Sequence, residues 1–575
     1  MKPVAERRWE IRECDRKSEA RIARELSVPP IVARLLVNRG ISDSAVAARF
    51  LSPSLTDVSN PLLLKGMEEA VSRLCAARVR GETVCVYGDY DVDGVTSTAL
   101  LIHFFRAVGI RCFYHIPNRF EDGYGLSEGG LRTVAERAQV VVSVDCGISA
   151  VAEAELCASL GLDLIITDHH TPGPFLPQAC AVINPLQSGC PFPFKYLAGV
   201  GVAFNLMVAL RGRLREEGAF VGEREPNLRE YLDLVALGTI ADVVPLTGDN
   251  RIFVKYGLRE LSASPRVGVK ALKEVAGVAG AVGCGAVGFR LAPRLNAAGR
   301  LEDAARGVEL LLEEEPTRAA AIAAELDASN AERQAIEGQI MSDALGRIQN
   351  SPAMKGRKSI VLASDAWHPG VIGIVASRMV DLFHRPTVLI SLQDGNGRGS
   401  GRSIPGFHLY DALDACAGHL VKFGGHRYAA GLSIDEASLA GFTARFEEVS
   451  AGRLSAEDLM PVLRVDAALS PGEVTPELAD AIASLAPFGA GNPEPLFVLR
   501  RMEMGQRLPV RGNHLKMRFA APVGMLDAIG FNLAGKGAGL SGTVDVAFTL
   551  CWNEWNGRKN LQLNVKDIMQ SEPGA

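Results

Sequence analysis

The chain has 575 residues, 47% of them hydrophobic and 22% charged, with a formal net charge of -5 at pH 7. That is an ordinary globular composition at a length that calls for several domains, and it excludes a protein that works as one large polycation, while leaving room for local basic patches. The eleven cysteines include no C-x-x-C pair, no apolar run is long enough to span a bilayer, and residues 1–24 are charged throughout. Reduced thiols, no thiolate zinc site, no membrane contact and a cytoplasmic location are therefore expected.

Residues 27–55 read as a small helical lead-in, opened by Pro29-Pro30 and closed by Pro53. Short apolar runs at 83–88, 112–116, 140–145, 162–167 and 181–184 then alternate with helical stretches at 94–108, 127–137 and 150–160. That alternation predicts an α/β fold with a parallel sheet covered on both faces. Residues 199–306 are helix-rich. Pro316-Thr317 opens a helical pattern running to about residue 348, with Ile322, Leu326, Ile336, Ile340 and Leu345 on one face. A helix of that length extends about 45 Å and suits a connector. After a linker at 351–356, strands at 359–363 and 387–390 begin a second α/β lobe carrying Gly399-Ser400-Gly401-Arg402-Ser403 and Gly424-Gly425-His426. From about residue 461 the texture is β, with Trp552 and Trp555 on either side of a turn. The expected divisions are a lead-in at 1–60, a catalytic domain at 61–315, the connector at 316–350, a substrate-binding domain at 351–455, and a β-barrel at 456–575.

Three strands of the first lobe end in metal-type ligands. One ends in Asp89, Asp91 and Asp93, one in Asp145, and one in Asp168-His169-His170; Asp242 follows another apolar segment, legible as helix or strand. Ligands bind beyond the carboxyl ends of strands in an open parallel sheet. Carboxylates crowded there repel one another and are costly to bury, and a divalent cation removes both problems. Mixed carboxylate and imidazole donors favour Mn2+ or Mg2+ over Zn2+. Two such ions, about 3.5–4 Å apart, suit phosphoester hydrolysis. Plainer readings exist: an exposed Asp-rich turn, a strand-end carboxylate at Asp145, a surface histidine at His170, and a helix N-cap at Asp168, which is the expected role of that residue.

Together, Gly88-Asp89-Tyr90-Asp91-Val92-Asp93-Gly94, Val144-Asp145-Cys146-Gly147, Asp168-His169-His170 and Gly238-Thr239-Ile240-Ala241-Asp242 resemble the motifs of the DHH phosphoesterase superfamily. Four further features resemble its branch of bacterial single-strand exonucleases: the lead-in Leu35-Leu36-Val37-Asn38-Arg39-Gly40-Ile41 with Phe50-Leu51, the segment Pro117-Asn118-Arg119 with Asp122-Gly123-Tyr124-Gly125-Leu126, the run Arg294-Leu295-Asn296-Ala297-Ala298-Gly299-Arg300, and Gly424-Gly425-His426. The resemblance implies a DHH phosphoesterase domain joined by a long helix to a DHH-associated domain and a C-terminal OB-fold. It implies 5′→3′ hydrolysis of single-stranded DNA to 5′-mononucleotides, in DNA recombination and repair, by a two-ion site of Asp91, Asp93, Asp145, His169 and Asp242. Asp89 stands near a place where other members use histidine, and His170 contacts the scissile phosphate. A monomer working beside a single-stranded-DNA-binding protein and a helicase is also implied.

A 5′-phosphate is met by guanidinium forks, hydroxyls and backbone amides, a role that fits Arg119, Ser400 and Arg402, with Asn118 beside them. The alternative for residues 395–401 is an ordinary flexible loop. Arg294 and Arg300 suit phosphate contacts and Asn296 a backbone or base edge, the alternative being a polar helix cap; His368 and His426 suit a channel floor. In the β-rich region Arg500, Arg501, Arg507, Arg511, Lys516 and Arg518 cluster, with Phe531, Trp552 and Trp555 as stacking partners, while Phe519 and Phe548 are expected in the barrel core. Two other functions compete: a phosphodiesterase for short oligonucleotides or cyclic dinucleotides, and a non-catalytic single-strand-binding scaffold.

Overall fold

The computed structural model describes residues 6–118, 125–222, 224–263, 265–301, 303–510, 512–521, 524–555 and 558–572. The chain forms two compact units, one of residues 14–330 and 480–494, the other of residues 1–13, 331–479 and 495–575. The 35-residue helix Pro316–Asn350 begins in the first and ends in the second.

The first unit is built on a five-stranded parallel sheet, in the order Arg111–His115, Thr83–Tyr87, Val140–Val144, Asp163–Thr167, Ala181–Ile183. Alternate side chains of a strand face opposite ways. Val86, Val142 and Ile165 therefore join one core with the helices Val92–Ala107 and Gly199–Glu216. Cys85, Val141 and Ile166 join another with Glu128–Ala135 and Val151–Ser159. This is why the central strand Val140–Val144 is buried at every position and shows no alternation in sequence. The segment left open between helix and strand is the helix Leu232–Ala241, apolar because it is nearly all buried.

The lead-in forms three helices, Arg16–Leu26, Pro30–Asn38 and Ser44–Leu51. Asp15 and Asp43 cap the first and third through the main-chain amides of Lys17 and Val46, and Pro30 occupies a first-turn position where its missing N–H is harmless. Arg251, only 2% exposed, fixes the lead-in: it donates to the Phe50 carbonyl (2.9 Å) and lies 3.8 Å over the Phe50 ring.

In the second unit a mixed sheet runs Lys422–Gly425, Ala429–Asp435, Asn396–Arg402, Thr387–Gln393, Ile360–Ser364. Its central strand, Asn396–Arg402, corrects the loop alternative for residues 395–401. Gly397, Gly399 and Gly401 are buried against Ile390, Leu432 and Leu409, so that face has no room for side chains, and the strand alternation puts Arg398, Ser400 and Arg402 on the other face. Beyond it, five strands close into a barrel, Phe497–Val510, His514–Ala521, Gly524–Gly530, Arg558–Gln570 and Thr543–Trp555, the last pairing back to the first. Phe519 and Phe548 fill its interior, as expected. The short strand Arg8–Ile11 pairs in parallel with Val462–Val465, an unexpected element, and Trp9 donates from Nε1 to Asp567 (2.9 Å). No helix among the described residues is long and apolar enough to cross a membrane.

Candidate functional site

At the carboxyl edge of the parallel sheet, the strand Thr83–Tyr87 runs into the loop bearing Asp89 and Asp91, and Asp91 starts the next helix. Its Oδ1 accepts from the amides of Asp93 (2.8 Å) and Gly94 (3.1 Å). Asp93, in the first turn of that helix, is held from across the site. Its two oxygens accept from the amides of Gly199 (2.6 Å) and Val200 (2.9 Å), at the N-terminus of the helix Gly199–Glu216. Asp145 follows the strand Val140–Val144 in the left-handed region, at φ 62°. Such backbone is uncommon outside glycine and is tolerated best by Asp and Asn. A Cβ on Gly199 would stand 2.6 Å from Asp145 Oδ1, so only glycine lets this helix end approach the acid. Asp242 ends the helix Leu232–Ala241 and reaches the cluster from the other side.

His169 and His170 follow the strand Asp163–Thr167. No helix begins there, which corrects the N-cap role for Asp168. Its carboxylate instead shapes the turn: Oδ1 accepts from the amides of His169 (2.7 Å) and His170 (3.0 Å) and lies 2.8 Å from His170 Nδ1, while Oδ2 accepts from the Ile148 amide (2.9 Å). Asp168 thus fixes the backbone of both histidines and orients the His170 imidazole. The sequence signal for it was present, an acid directly before two histidines.

His169 Nε2 lies 3.1 Å from Asp145 Oδ1, 3.6 Å from Asp242 Oδ2 and 3.8 Å from Asp93 Oδ2. Donor atoms gather in three overlapping groups: Asp93, His169 and Asp242; Asp89, Asp91 and Asp145; and Asp145, His169 and His170. Asp145 belongs to two of them. Electrostatics agree with the crowding. Burial, then the charges of Asp93 and Asp91, pushes Asp145 well above the usual carboxylate range. Burial and the Asp91 charge lift Asp93 to about 7, and burial with Asp93 and Asp91 lifts Asp242 to about 9. Burial and the neighbouring His170 lower His169 to about 4, leaving a neutral ring with a lone pair. Burial alone would lower His170, but the hydrogen bond and charge of Asp168 outweigh it and lift that ring to about 9.

The donor set fits a hard divalent cation. His169 Nε2 and Asp242 Oδ2 are buried and take no hydrogen bond, and buried polar atoms are otherwise almost always satisfied. A cation would supply the missing partner and relieve the repulsion that raises the carboxyl pKa values.

The remaining candidates divide. Asn296, on the helix Ala292–Leu301, accepts from the Val92 amide (3.2 Å) and so abuts the aspartate loop, in place of a polar cap. Arg294 is engaged structurally, with Asp327 at 2.8 Å and the Arg290 carbonyl at 2.6 Å, which argues against a free phosphate contact. Arg300 and Asn118 are half-buried. Arg119 and Arg511, and the side chain of Trp555, lie outside the described residues. In the second unit a Cβ on Gly373 would stand 3.1 Å from Arg402 Nη2 and 3.3 Å from Ser400 Oγ, so both side chains lie at the start of the helix Ile372–Phe383. A guanidinium, a hydroxyl and a helix N-terminus thus lie together, a combination whose chemistry suits an anion. His368 caps the adjoining turn, its Nδ1 accepting from the Gly370 amide (3.1 Å), while His426 is exposed after the strand Lys422–Gly425.

On the barrel, a groove of about 560 Å³ is lined by Lys516, Arg518, Phe531, Asn553, Asn560 and Gln562 among others. Lys516 and Phe531 are exposed, and Trp552 stacks under Lys559 (4.5 Å). Three basic residues have partners within the barrel: Arg500 with Asp545, Arg507 with the carbonyls of Gly537 and Leu540, and Arg518 with Asp527, which also lines the groove.

Comparison with known proteins gives a consistent picture. Family models match in three places: the DHH family, N-terminal domain, at residues 83–239; the DHHA1 domain at 356–451; and the RecJ OB domain at 465–567. The single-stranded-DNA-specific exonuclease RecJ of Bacillus subtilis is 39% identical over 98% of this chain and 71% of its own length. That of Escherichia coli is 43% identical over 94% of this chain and 96% of its own. RecJ of Thermus thermophilus, solved with Mn2+, superposes with a TM-score of 0.84 at 34% identity, covering 98% of this chain and 80% of that one; its Mg2+ complex gives 0.78 at 32%, covering 98% and 79%.

Proposed function

This chain belongs to the RecJ family of single-stranded-DNA-specific exonucleases, and we propose that it removes 5′-mononucleotides one at a time from the 5′ end of its strand. It is a metal-dependent nuclease of the DHH type, using Mn2+ or Mg2+. The observation that carries the site assignment is the convergence of Asp93, Asp145 and Asp242 within 4 Å of the neutral His169 Nε2. Asp91, Asp93, Asp145, His169 and Asp242 would hold two cations, with Asp89 beside Asp91 and Asp145. Such ions supply a water acidified enough to attack a phosphodiester at neutral pH.

The chain's own groups do the rest. Amides of residues 93, 94, 199 and 200 hold the Asp91 and Asp93 carboxylates in place, so little reorganisation accompanies reaction. His170, kept protonated through Nδ1 by Asp168, presents a cationic ring suited to a non-bridging phosphate oxygen. Ser400 and Arg402 at the helix start suit the terminal 5′-phosphate, which would fix the direction of digestion. The groove with Lys516 and Phe531 suits the trailing strand, where stacking and phosphate contact hold any sequence. DNA repair and recombination are the setting that this activity serves.

End-labelled strands test the reading. Wild type should release labelled mononucleotide at once from a 5′-labelled single strand and only late from a 3′-labelled one, and EDTA or Asp145→Ala should abolish both. Release from the 3′ end first, or activity retained by Asp145→Ala, contradicts it.

A further inference from the structure

Asp91 and Asp93 are tied down by main-chain amides, but Asp242 is held differently. Its Oδ2 takes no hydrogen bond, so the position of this carboxylate rests on its backbone. That backbone is strained immediately afterwards. Val243 sits in the left-handed region at φ 62°, an outlier for a β-branched residue, and is 70% exposed, so its own side chain does little to hold it there. Something else must hold the turn between the helices Leu232–Ala241 and Gly248–Ala263.

The element packed on that turn comes from far along the chain. Residues 485–493 lie against it. The Leu246 amide donates to the Ala490 carbonyl (2.7 Å), a Cβ on Gly491 would stand 2.9 Å from Pro245 Cβ, and one on Gly489 would stand 2.7 Å from Leu246 Cδ1. On the near side, Asn250 Nδ2 donates to the Pro245 carbonyl (3.1 Å). The loop is itself rigidly built. Asn492 is fully buried, donates from Nδ2 to the carbonyls of Leu485 (2.9 Å) and Pro487 (2.8 Å), and accepts at Oδ1 from Arg39 Nε (2.7 Å). Arg39 also donates to the Pro493 carbonyl (2.6 Å), and Arg251 to the Ala486 carbonyl (2.9 Å). Two arginines, one of them among the largest fully buried side chains, thus each give two donor groups to this stretch: Arg39 through Nε and Nη2, and Arg251 through Nη1 and Nη2.

We infer that residues 485–493 are a positioning element for Asp242: the loop pins Pro245 and Leu246, holds the strained turn at Val243, and so keeps the Asp242 carboxylate facing His169. Asn492, Arg39 and Arg251 are positioning residues acting through this loop. The inference rests on the reading that Asp242 helps hold the cation. It also means that a segment lying just before the first barrel strand, Phe497–Val510, serves the catalytic unit, so truncating the chain ahead of it would disturb the metal centre as well as remove the barrel.

The test is Mn2+ binding to the full chain without DNA, read by electron paramagnetic resonance or calorimetry, for wild type, Asp242→Ala, Gly491→Ala and Gly489→Ala. Gly491→Ala places a methyl against Pro245 and strains a residue at φ 70°; Gly489→Ala presses only on the end of the Leu246 side chain. The expected result is Mn2+ affinity lowered tenfold or more in Gly491→Ala and about threefold in Gly489→Ala, with metal-free melting within 2–3 °C of wild type and KM for single-stranded DNA unchanged. Asp242→Ala should lower the affinity at least as far. If Asp242→Ala leaves Mn2+ binding intact, the ligand reading itself fails. If Asp242→Ala weakens it while Gly489→Ala, and Gly491→Ala where it folds, bind as wild type does, the positioning role is overturned. A parallel loss of melting temperature and of DNA KM in Gly489→Ala would overturn it too, marking general loosening.

Discussion

Replacing Asp242 by asparagine should make the metal-free protein more stable while it destroys the enzyme. The side chain keeps its shape and no longer needs to take up a proton on folding: burial and two neighbouring carboxylates hold the Asp242 pKa at about 9 in place of the ordinary 3.8. The sign follows from proton uptake. The native state holds a proton here that the unfolded chain releases above about pH 4, so native stability falls as pH rises toward 9 and is flat beyond. At pH 8 the four units between 3.8 and 8, at about 1.4 kcal/mol each, set an upper bound of about 6 kcal/mol. Asp93 and Asp91 share that repulsion and already relax around the protonated acid, so a net gain of about 2–3 kcal/mol is expected. For a unit of this size that corresponds to roughly 3–5 °C. Calorimetry in EDTA at pH 8 and at pH 5 reads it. The gain should be present at pH 8 and mostly gone at pH 5, where the bound is only about 1.6 kcal/mol. Added Mn2+ should stabilise wild type and do much less for the variant. An Asp242→Asn variant that melts at or below the wild-type temperature at pH 8, or gains more at pH 5, would refute the reasoning.

Gly199→Ala sets a methyl 2.6 Å from Asp145 Oδ1 and disturbs the amide that holds Asp93; kcat should fall about 100-fold, with the loss in stability confined to about 1–3 kcal/mol, as checked by single-turnover rates and melting. Arg402→Ala should erase the preference for a 5′-phosphate, bringing initial rates on phosphorylated and unphosphorylated strands together; a preserved ratio would place the phosphate elsewhere. Lys516→Ala should reduce the slope of log Kd against log salt by about 0.7 for a single strand in fluorescence anisotropy, and an unchanged slope would remove Lys516 from the strand path.

Much of this was legible in the sequence where one physical cause dominates. The five strands of the parallel sheet fall within a residue or two of the apolar runs, most plainly at the centre, because a strand buried on both faces, as Val140–Val144 is, must be apolar throughout. The acids at their ends were conspicuous for the same reason, polar groups with no place in an apolar run. What stayed hidden depends on partners distant in sequence. The strand Arg8–Ile11 is too short and polar to stand out, and its pairing with Val462–Val465 spans more than 450 residues. The glycine-rich stretch at 395–401 left a flexible loop open as the alternative to phosphate binding, because nothing local shows that Ile390, Leu432 and Leu409 press on one face of a strand there. Asp168 had the composition of a helix cap, yet the chain continues as a turn in which the acid accepts from both histidine amides and orients the His170 ring. Arg294 looked available to a phosphate only because its partner Asp327 lies 33 residues away.

The claim at the centre of the account is that the cations sit among Asp91, Asp93, Asp145, His169 and Asp242. Crystals soaked in Mn2+ and measured at the manganese absorption edge test it directly. Two anomalous peaks bounded by those side chains, with Asp145 between them and both lost in Asp145→Ala, are the predicted result; peaks elsewhere, or peaks that survive the substitution, would contradict it.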